Sequence, residues 1–128
     1  MLKLYKIRGQ LFKFLIVGGV AVLLDAIFYW ILLYVFNLDA AISKRISFII
    51  GALWAYVGNK YFTFSANTHL INDGWKFALV YLLSFVINSI THDVYLQFHE
   101  NYSIAFIAAT GLSAATNFIG QKLFVFHE

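Results

Sequence analysis

Four apolar runs, each about as long as a membrane-spanning helix, dominate this chain of 128 residues. They cover approximately residues 11–36, 42–64, 75–98 and 102–124. A helix needs about 20 residues to cross the hydrocarbon core of a bilayer, so each run can cross it once. Only 12% of the residues are charged, whereas a soluble domain carries roughly 25%. The sequence therefore predicts an all-α integral membrane protein with four transmembrane helices.

A motif in the middle of the chain recurs near its C-terminus. Residues 58–64 (GNKYFTF) and 120–126 (GQKLFVF) share a Gly, an amide, a Lys and two Phe at the same spacing, 62 residues apart. A weaker match places Asp25 opposite Asn88 at an offset of 63. Such internal repetition indicates duplication of a structural unit. We expect one domain, residues 1–128, in which repeat 1 covers about 11–64 and repeat 2 about 75–126, each forming a helical hairpin.

Small and polar residues recur at every fourth position before each copy of the motif. This spacing places each set on one face of a helix. The two stripes are Ser47, Gly51, Ala55 and Asn59 in repeat 1, and Ala109, Ser113, Asn117 and Gln121 in repeat 2. We expect both stripes to face the interior of the bundle, because small residues let membrane helices approach closely.

Basic residues are concentrated on one side of the predicted bundle. With four spans, both termini and the connection at residues 65–74 share a side, which carries seven of the nine Lys and Arg. The opposite side has only Lys44 and Arg45. Because an excess of Lys and Arg marks the cytoplasmic side, both termini are predicted to be cytoplasmic. Two-span repeats then have the same orientation, related by a twofold axis along the membrane normal.

Asp25 lies in the middle of the first apolar run. A carboxylate at this depth costs about 2.5–3.5 kcal/mol on insertion scales, and such residues are usually functional. Gly18, Ala21 and Tyr29 share its helix face, so this face is expected to point into the bundle. Alternatively, Asp25 has a structural role only, held by a hydrogen bond from Asn88 or from a lysine.

Lys60 and Lys122 each follow an amide residue, Asn59 or Gln121, at the predicted cytoplasmic end of a stripe. An ammonium beside an amide donor suits a phosphate group, since one supplies charge and the other a directional hydrogen bond. The alternative is that both lysines simply extend to the lipid head groups.

Polar residues also occur near the opposite end. Arg45 either binds a phosphate there or pairs with Asp39 across the turn, and the ion pair is the favoured interpretation. His92 and Asp93 are candidates for a proton relay. Asn117 either bridges helices or contacts a sugar, and the residues do not separate these roles.

Known catalytic patterns are missing from the sequence. It contains no hydrolytic triad, nucleophile elbow, P-loop or pair of carboxylates in a catalytic arrangement. It has no cysteine, and no second histidine lies near His92 to form a metal site. Its basic residues are scattered rather than clustered on one face, which argues against nucleic acid as a partner. We expect no enzymatic activity, no metal and no cofactor.

Taken together, these motifs resemble the GtrA-like family of small four-helix membrane proteins. The resemblance extends from about Phe12 to Phe126. It is carried by residues 12–20 (FKFLIVGGV) followed by Asp25, 46–48 (ISF), 56–64 (YVGNKYFTF) and 117–126 (NFIGQKLFVF). The chain has Gln121 and Lys122 where an arginine-rich version of the motif is usual.

The resemblance implies translocation of a polyprenyl-phosphate-linked monosaccharide, such as undecaprenyl-phosphate glucose, across the bacterial cytoplasmic membrane. One membrane glycosyltransferase would load the lipid inside, and another would transfer the sugar outside to O-antigen, teichoic acid or a similar polymer. The residues expected to contact this lipid are Asp25, Arg45, Asn59, Lys60, Asn88, Asn117, Gln121 and Lys122. Four spans form a small wall, so a homodimer is expected.

Two other functions fit the same residues. A proton-coupled exporter of small cations also needs one carboxylate within the membrane. Alternatively, the protein is a scaffold that anchors a glycosyltransferase through its small-residue faces without transporting anything.

Overall fold

A computed structural model describes residues 2–58, 61–62, 74–120 and 123–124 of the chain. In this part of the chain, four long helices follow one another: α1 (Leu2–Tyr34), α2 (Ala40–Gly58), α3 (Gly74–Phe98) and α4 (Tyr102–Gly120). Each is long and apolar enough to cross a bilayer. The prediction of an all-α membrane protein with four spans is confirmed.

The first helix begins well before its apolar run. The polar head at residues 1–10 precedes the first candidate span, Phe12–Tyr34, but most of it is already helical, because α1 begins at Leu2 and has 33 residues. Nothing in the head stops a helix, because it has no proline and is rich in Leu, Lys and Arg, which have good helix propensity. At 1.5 Å per residue α1 is about 50 Å long, so it extends beyond the hydrocarbon core of about 30 Å.

Both hairpin turns end with a capping residue before the next helix. The backbone carbonyl of Asp39 accepts a hydrogen bond from the Ser43 amide at 2.8 Å, which begins α2. In the same way, the carbonyl of Asn101 accepts from the Ala105 amide at 3.0 Å and begins α4. The Asn101 side chain also accepts from the Ile104 amide at 3.1 Å, as asparagine commonly does at a helix N-terminus.

The helices pack in chain order. The α1–α2 and α3–α4 hairpins are each closely packed, and α2 packs against α3. We call the end of the bundle that contains residues 35–39 and 99–101 the turn end. The other end, where α1 begins and α4 finishes, is called the terminal end.

The same close contact occurs at the terminal end of both hairpins. A Cβ added to Gly58 would lie 2.8 Å from the Val17 Cγ1 atom, and one added to Gly120 would lie 2.9 Å from the Val80 Cγ1 atom. The two glycines are 62 residues apart and the two valines 63. These are the contacts that a duplicated hairpin predicts. A twofold axis relating the hairpins stays a prediction.

The predicted stripes face the interior, as expected. The described stripe members that are buried are Ser47, Gly51 and Ala55 of α2, and Ala109 and Ser113 of α4. Small residues at these positions bring the neighbouring backbones together. Gly51 illustrates this, because a Cβ on it would lie only 2.8 Å from the Ala21 carbonyl oxygen of α1.

Replacing Gly51 with alanine is therefore expected to destabilise the bundle by about 1–3 kcal/mol, the usual cost of overpacking. The added methyl group meets a backbone carbonyl, which cannot move aside as a side chain can. The measurement is unfolding by sodium dodecyl sulfate in mixed micelles. Gly111→Ala is the matched control, since nothing lies within 4 Å of a Cβ there. Equal stability of the two variants would contradict the close α1–α2 approach.

Candidate functional site

A half-open cavity of about 500 Å³ lies between the four helices. This volume is in the range of small-molecule sites. Residues from every helix line it, among them Gly18 and Asp25 of α1, Gly51 of α2, Ser84 of α3, and Thr110 and Asn117 of α4. Because α1 and α4 are not among the closely packed helix pairs, the cavity occupies the least tightly closed side of the described bundle.

The turn end of this side is closed by aromatic side chains. Tyr29 and Leu33 of α1 form a buried cluster with Phe106 of α4. The rings of Tyr29 and Phe106 are 5.5 Å apart between centroids. The lining residues nearest the other end include Leu15 and Phe118, so the cavity extends from the middle of the bundle toward the terminal end.

Asp25 forms a buried ion pair with Lys44 of α2. The Lys44 ammonium donates to both carboxylate oxygens, at 2.9 Å to Oδ2 and 3.2 Å to Oδ1. Lys44 is 0% exposed and Asp25 only 5%. The sequence left open whether Asn88 or a lysine would hold Asp25, and in the structure it is a lysine, Lys44. An ion pair of this kind lowers the penalty that each charge would carry alone in the membrane.

Aromatic rings surround the rest of the Lys44 ammonium. Its Nζ atom lies 4.6 Å from the ring centroid of Phe106 and 5.7 Å from that of Phe48. Both distances fall within the range of cation–π attraction, which becomes stronger when water is excluded. The ammonium is therefore held by a carboxylate on the cavity side and by aromatic faces from two helices.

A second polar group connects the α1–α2 hairpin with α3 at the turn end. The Tyr29 hydroxyl shares a hydrogen bond of 2.8 Å with His92 Nε2, and both side chains are 0% exposed. His92 Nδ1 lies 3.0 Å from Asp93 Oδ1. Asp93 Oδ2 in turn accepts a hydrogen bond of 2.6 Å from Arg45. We call these four residues the turn-end network.

The interpretation that Arg45 pairs with Asp39 is wrong. Arg45 pairs with Asp93, from the other hairpin, because α2 packs against α3. The two side chains are 40% and 31% exposed, so this pair is partly solvated and contributes little by itself. His92 and Asp93 form a hydrogen-bonded pair, and a proton relay through them stays a prediction.

Asn88 is buried, 1% exposed, and its amide nitrogen donates to the Ser113 hydroxyl of α4 at 3.0 Å. Its amide oxygen has no hydrogen-bond partner among the described residues. Asn88 thus joins α3 to α4 beside the cavity. It occupies the position in the second hairpin that Asp25 occupies in the first.

Two hydroxyl groups of the cavity wall are buried and without a partner among the described residues. They are Ser84 Oγ and Thr110 Oγ1. Buried polar atoms are nearly always hydrogen-bonded, so unpaired ones need an explanation. A polar ligand or water in the cavity would satisfy them. By contrast, a groove of about 410 Å³ between α2 and α3 has almost entirely apolar walls.

The structure thus brings together some of the predicted site residues and separates others. Asp25 and Asn117 line the cavity, Asn88 lies beside it, and Arg45 belongs to the turn-end network. Asn59, Lys60, Gln121 and Lys122 lie outside the described residues, so their predicted contacts with phosphate stay predictions.

Lys44, Ser84 and Thr110 were not recognised from the sequence as site residues. One sequence feature could have pointed to Lys44, because a lysine is unexpected on the side that has few basic residues. No sequence feature distinguishes Ser84 and Thr110, since single hydroxyl residues are common in membrane helices. Within the described ranges, no group of three His, Asp or Glu side chains is arranged to hold a metal ion.

Comparison with known proteins identifies the family. The family described as "GtrA/DPMS, transmembrane domain" matches residues 13–126. A "Cell wall teichoic acid glycosylation protein GtcA" of Listeria monocytogenes is 36% identical over 64 residues, covering 50% of this chain and 44% of that protein. A GtcA of Listeria monocytogenes serovar 1/2a is 32% identical over 59 residues, covering 46% and 41%. The chain therefore spans less than half the length of these two relatives.

A third relative aligns over nearly its whole length. The "Uncharacterized membrane protein YwcD" of Bacillus subtilis is 25% identical over 120 residues, covering 90% of this chain and 94% of that protein. No solved structure matches the chain. Because the family match includes all but the first twelve and last two residues and all four spans, this multi-pass membrane protein belongs to the GtrA/DPMS transmembrane-domain family.

Proposed function

We propose that the protein translocates a polyprenyl-phosphate-linked monosaccharide from the cytoplasmic to the outer leaflet of a bacterial membrane. The sugar would then be used to glycosylate a cell-surface polymer such as teichoic acid. Two GtcA proteins, named for teichoic acid glycosylation, support this role through 36% and 32% identity over 64 and 59 residues. The protein itself performs no catalysis in this proposal, and membrane glycosyltransferases supply and consume the lipid.

The observation that carries the proposal is the cavity, whose wall has two hydroxyls without a hydrogen-bond partner in the described part of the chain. A sugar-phosphate head group is too polar to cross hydrocarbon unaided, whereas its polyprenyl tail can remain in lipid. Ser84 and Thr110 offer hydroxyls to a sugar, and Asn117 adds an amide to the same wall. The weakly closed side between α1 and α4 provides a route for the tail. The terminal end, where the cavity extends, faces the cytoplasm.

Export of a small cation is less well supported. The carboxylate that would bind the cation is already held by the Lys44 ammonium at 2.9 Å. A cationic substrate would have to displace that ammonium, leaving Lys44 buried beside a second positive charge. Such an arrangement is strongly unfavourable in a medium of low dielectric constant.

Filling the cavity is expected to block translocation. Gly18 lines the cavity, and nothing lies within 4 Å of a Cβ added there. Gly18→Phe should therefore fold normally. It should slow the transfer of radiolabelled undecaprenyl-phosphate glucose between the leaflets of proteoliposomes by at least about tenfold, which corresponds to an activation free energy higher by roughly 1.4 kcal/mol.

Gly111→Phe is the matched control, because Gly111 is equally uncrowded but does not line the cavity. It should transfer the lipid at the wild-type rate. Equal rates for the two variants would remove the cavity from the pathway. Absence of transfer by the wild-type protein, together with a stable complex with a glycosyltransferase, would instead support the scaffold function.

A further inference from the structure

Lys44 is a buried cation immediately behind the wall of the cavity. Asp25 lines the cavity, and the Lys44 ammonium contacts the two carboxylate oxygens from the far side. The lysine itself is 0% exposed. A change of the Asp25 side chain to another staggered rotamer would break its contact with the ammonium. Asp25 is therefore a cavity-lining residue in direct contact with Lys44.

A phosphodiester resembles the group that Lys44 already binds. Like a carboxylate, it carries one negative charge shared by two oxygens on a single atom. An ammonium binds such an anion as a compact charge with three donors. The Phe106 and Phe48 rings would keep the ammonium in place while the anion is exchanged. The contacts of Lys44 thus suit a lipid phosphodiester in place of Asp25.

The charges around the pair are balanced before any anion enters. The charged or titratable groups on the helices around it are Asp25, Tyr29 and Tyr34 on α1, Lys44 and Arg45 on α2, His92 and Asp93 on α3, and Tyr102 on α4. Helix α4 contributes Phe106, Thr110 and Ser113 in this region. With His92 neutral, two positive charges face two negative ones, so an added anion would leave one negative charge in excess.

An excess buried charge is usually removed by protonation rather than tolerated. Asp25 is the carboxylate best placed to take up the proton, because it is 5% exposed and would have lost its ammonium partner. Asp93 remains paired with Arg45, and its side chain is 31% exposed. Protonated Asp25 would then be neutral, and the new ion pair would consist of Lys44 and the phosphodiester.

We propose that Lys44 is the phosphate-binding cation of the cavity, and that Asp25 takes up one proton when a lipid phosphodiester replaces it there. This inference rests on the proposed function and adds the anion site and the linked proton. The proton comes from the buffered aqueous solution, binds a carboxylate oxygen of Asp25, and returns to the solution when the lipid leaves and the ion pair forms again.

Calorimetry with a short-chain probe, farnesyl-phosphate glucose, tests this inference on the purified protein. Titrations at one pH in two buffers with different heats of ionisation count the protons that accompany binding. Wild-type protein should take up about one proton for each probe molecule bound. If the complex holds one proton more than the free protein, affinity should increase roughly tenfold for each unit by which pH is lowered.

Variants assign the proton and the anion site. Asp25→Asn should bind the probe without proton uptake and without dependence on pH, while Asp25→Glu should retain the uptake. Lys44→Gln should lose detectable binding. His92→Gln should still take up a proton, because its ring is not the group that loses an ion pair. Each variant is first compared with wild type by circular dichroism and gel filtration, and Asp25→Ser, which likewise has no carboxyl group, replaces Asp25→Asn if the latter does not fold.

Failure of the inference and failure of the proposed function give different results. Binding of the probe without proton uptake, or uptake that persists in Asp25→Asn, would overturn the inference. Uptake that is lost only in His92→Gln would overturn it as well. No binding of the probe, and no transfer of undecaprenyl-phosphate glucose in proteoliposomes, would instead reject the proposed function.

Discussion

Lys44→Met is expected to lower the free energy of unfolding by about 3–5 kcal/mol, the usual cost of removing one partner from a buried ion pair. Asp25 would remain only 5% exposed and would lose the ammonium that it contacts. The cation–π contact with Phe106, at 4.6 Å from Nζ to the ring centroid, would also be lost. Unfolding by sodium dodecyl sulfate in mixed micelles measures this change.

The double variant Asp25→Leu/Lys44→Met should recover most of this loss. Replacing both members of a buried pair with apolar residues removes the desolvation penalty together with the attraction, and the result is often neutral. Lys13→Met is the matched control at the terminal end. Lys13 lies 5.3 Å from the Phe62 ring centroid and is only half-buried, so its loss should change stability by about 1 kcal/mol or less. Wild-type stability of Lys44→Met would contradict a stabilising ion pair between Asp25 and Lys44.

His92→Leu is also expected to destabilise the protein, because it leaves the Tyr29 hydroxyl buried and without its hydrogen-bond partner. An unsatisfied buried hydroxyl costs about 1–3 kcal/mol. The hydrogen bond at 2.8 Å joins α1 to α3, and the Tyr29 and His92 rings also contact each other, with centroids 5.5 Å apart. The variant should therefore loosen the turn end between the two hairpins, measured by the same unfolding titration.

A double-mutant cycle with Tyr29→Phe isolates this contact. If the two side chains stabilise each other, the loss of unfolding free energy in the double variant should be smaller than the sum of the losses in the two single variants. The difference should be about 0.5–3 kcal/mol. Hydrogen bonds between membrane helices average only about 0.6 kcal/mol, so a value near the lower end is expected for the bond alone. Strict additivity would show that Tyr29 and His92 do not interact in the folded protein.

Much of the fold could be predicted from the sequence. The scarcity of charge and the length of the apolar runs leave a four-helix membrane protein as the simplest solution, because a lipid-exposed backbone must satisfy its own hydrogen bonds. The four-residue spacing of the stripes also identified their buried faces. In α2, Ser47, Gly51 and Ala55 are all buried. The length of α1 could not be predicted from hydropathy, because a polar segment has the same hydropathy whether or not it is helical.

The candidate site could be predicted only in part. Asp25 was found because one carboxylate in an apolar run is conspicuous whatever it contacts. Arg45 was assigned to Asp39, its neighbour in sequence, and the structure pairs it with Asp93 instead. Ser84 and Thr110 carried no signal at all. Their importance comes from lying unpaired in one cavity wall.

The membrane location, the four spans and the inward face of each stripe follow from the amino-acid sequence, because they depend on the polarity and spacing of residues along one chain. The contact of Lys44 with Asp25, the contact of His92 with Tyr29 and the cavity between the four helices became known only from the packing. Periodicity defines a face of a helix but does not say which helix lies opposite. Ion pairs and cavities form between helices, so they exist only once the packing order of α1 to α4 is known.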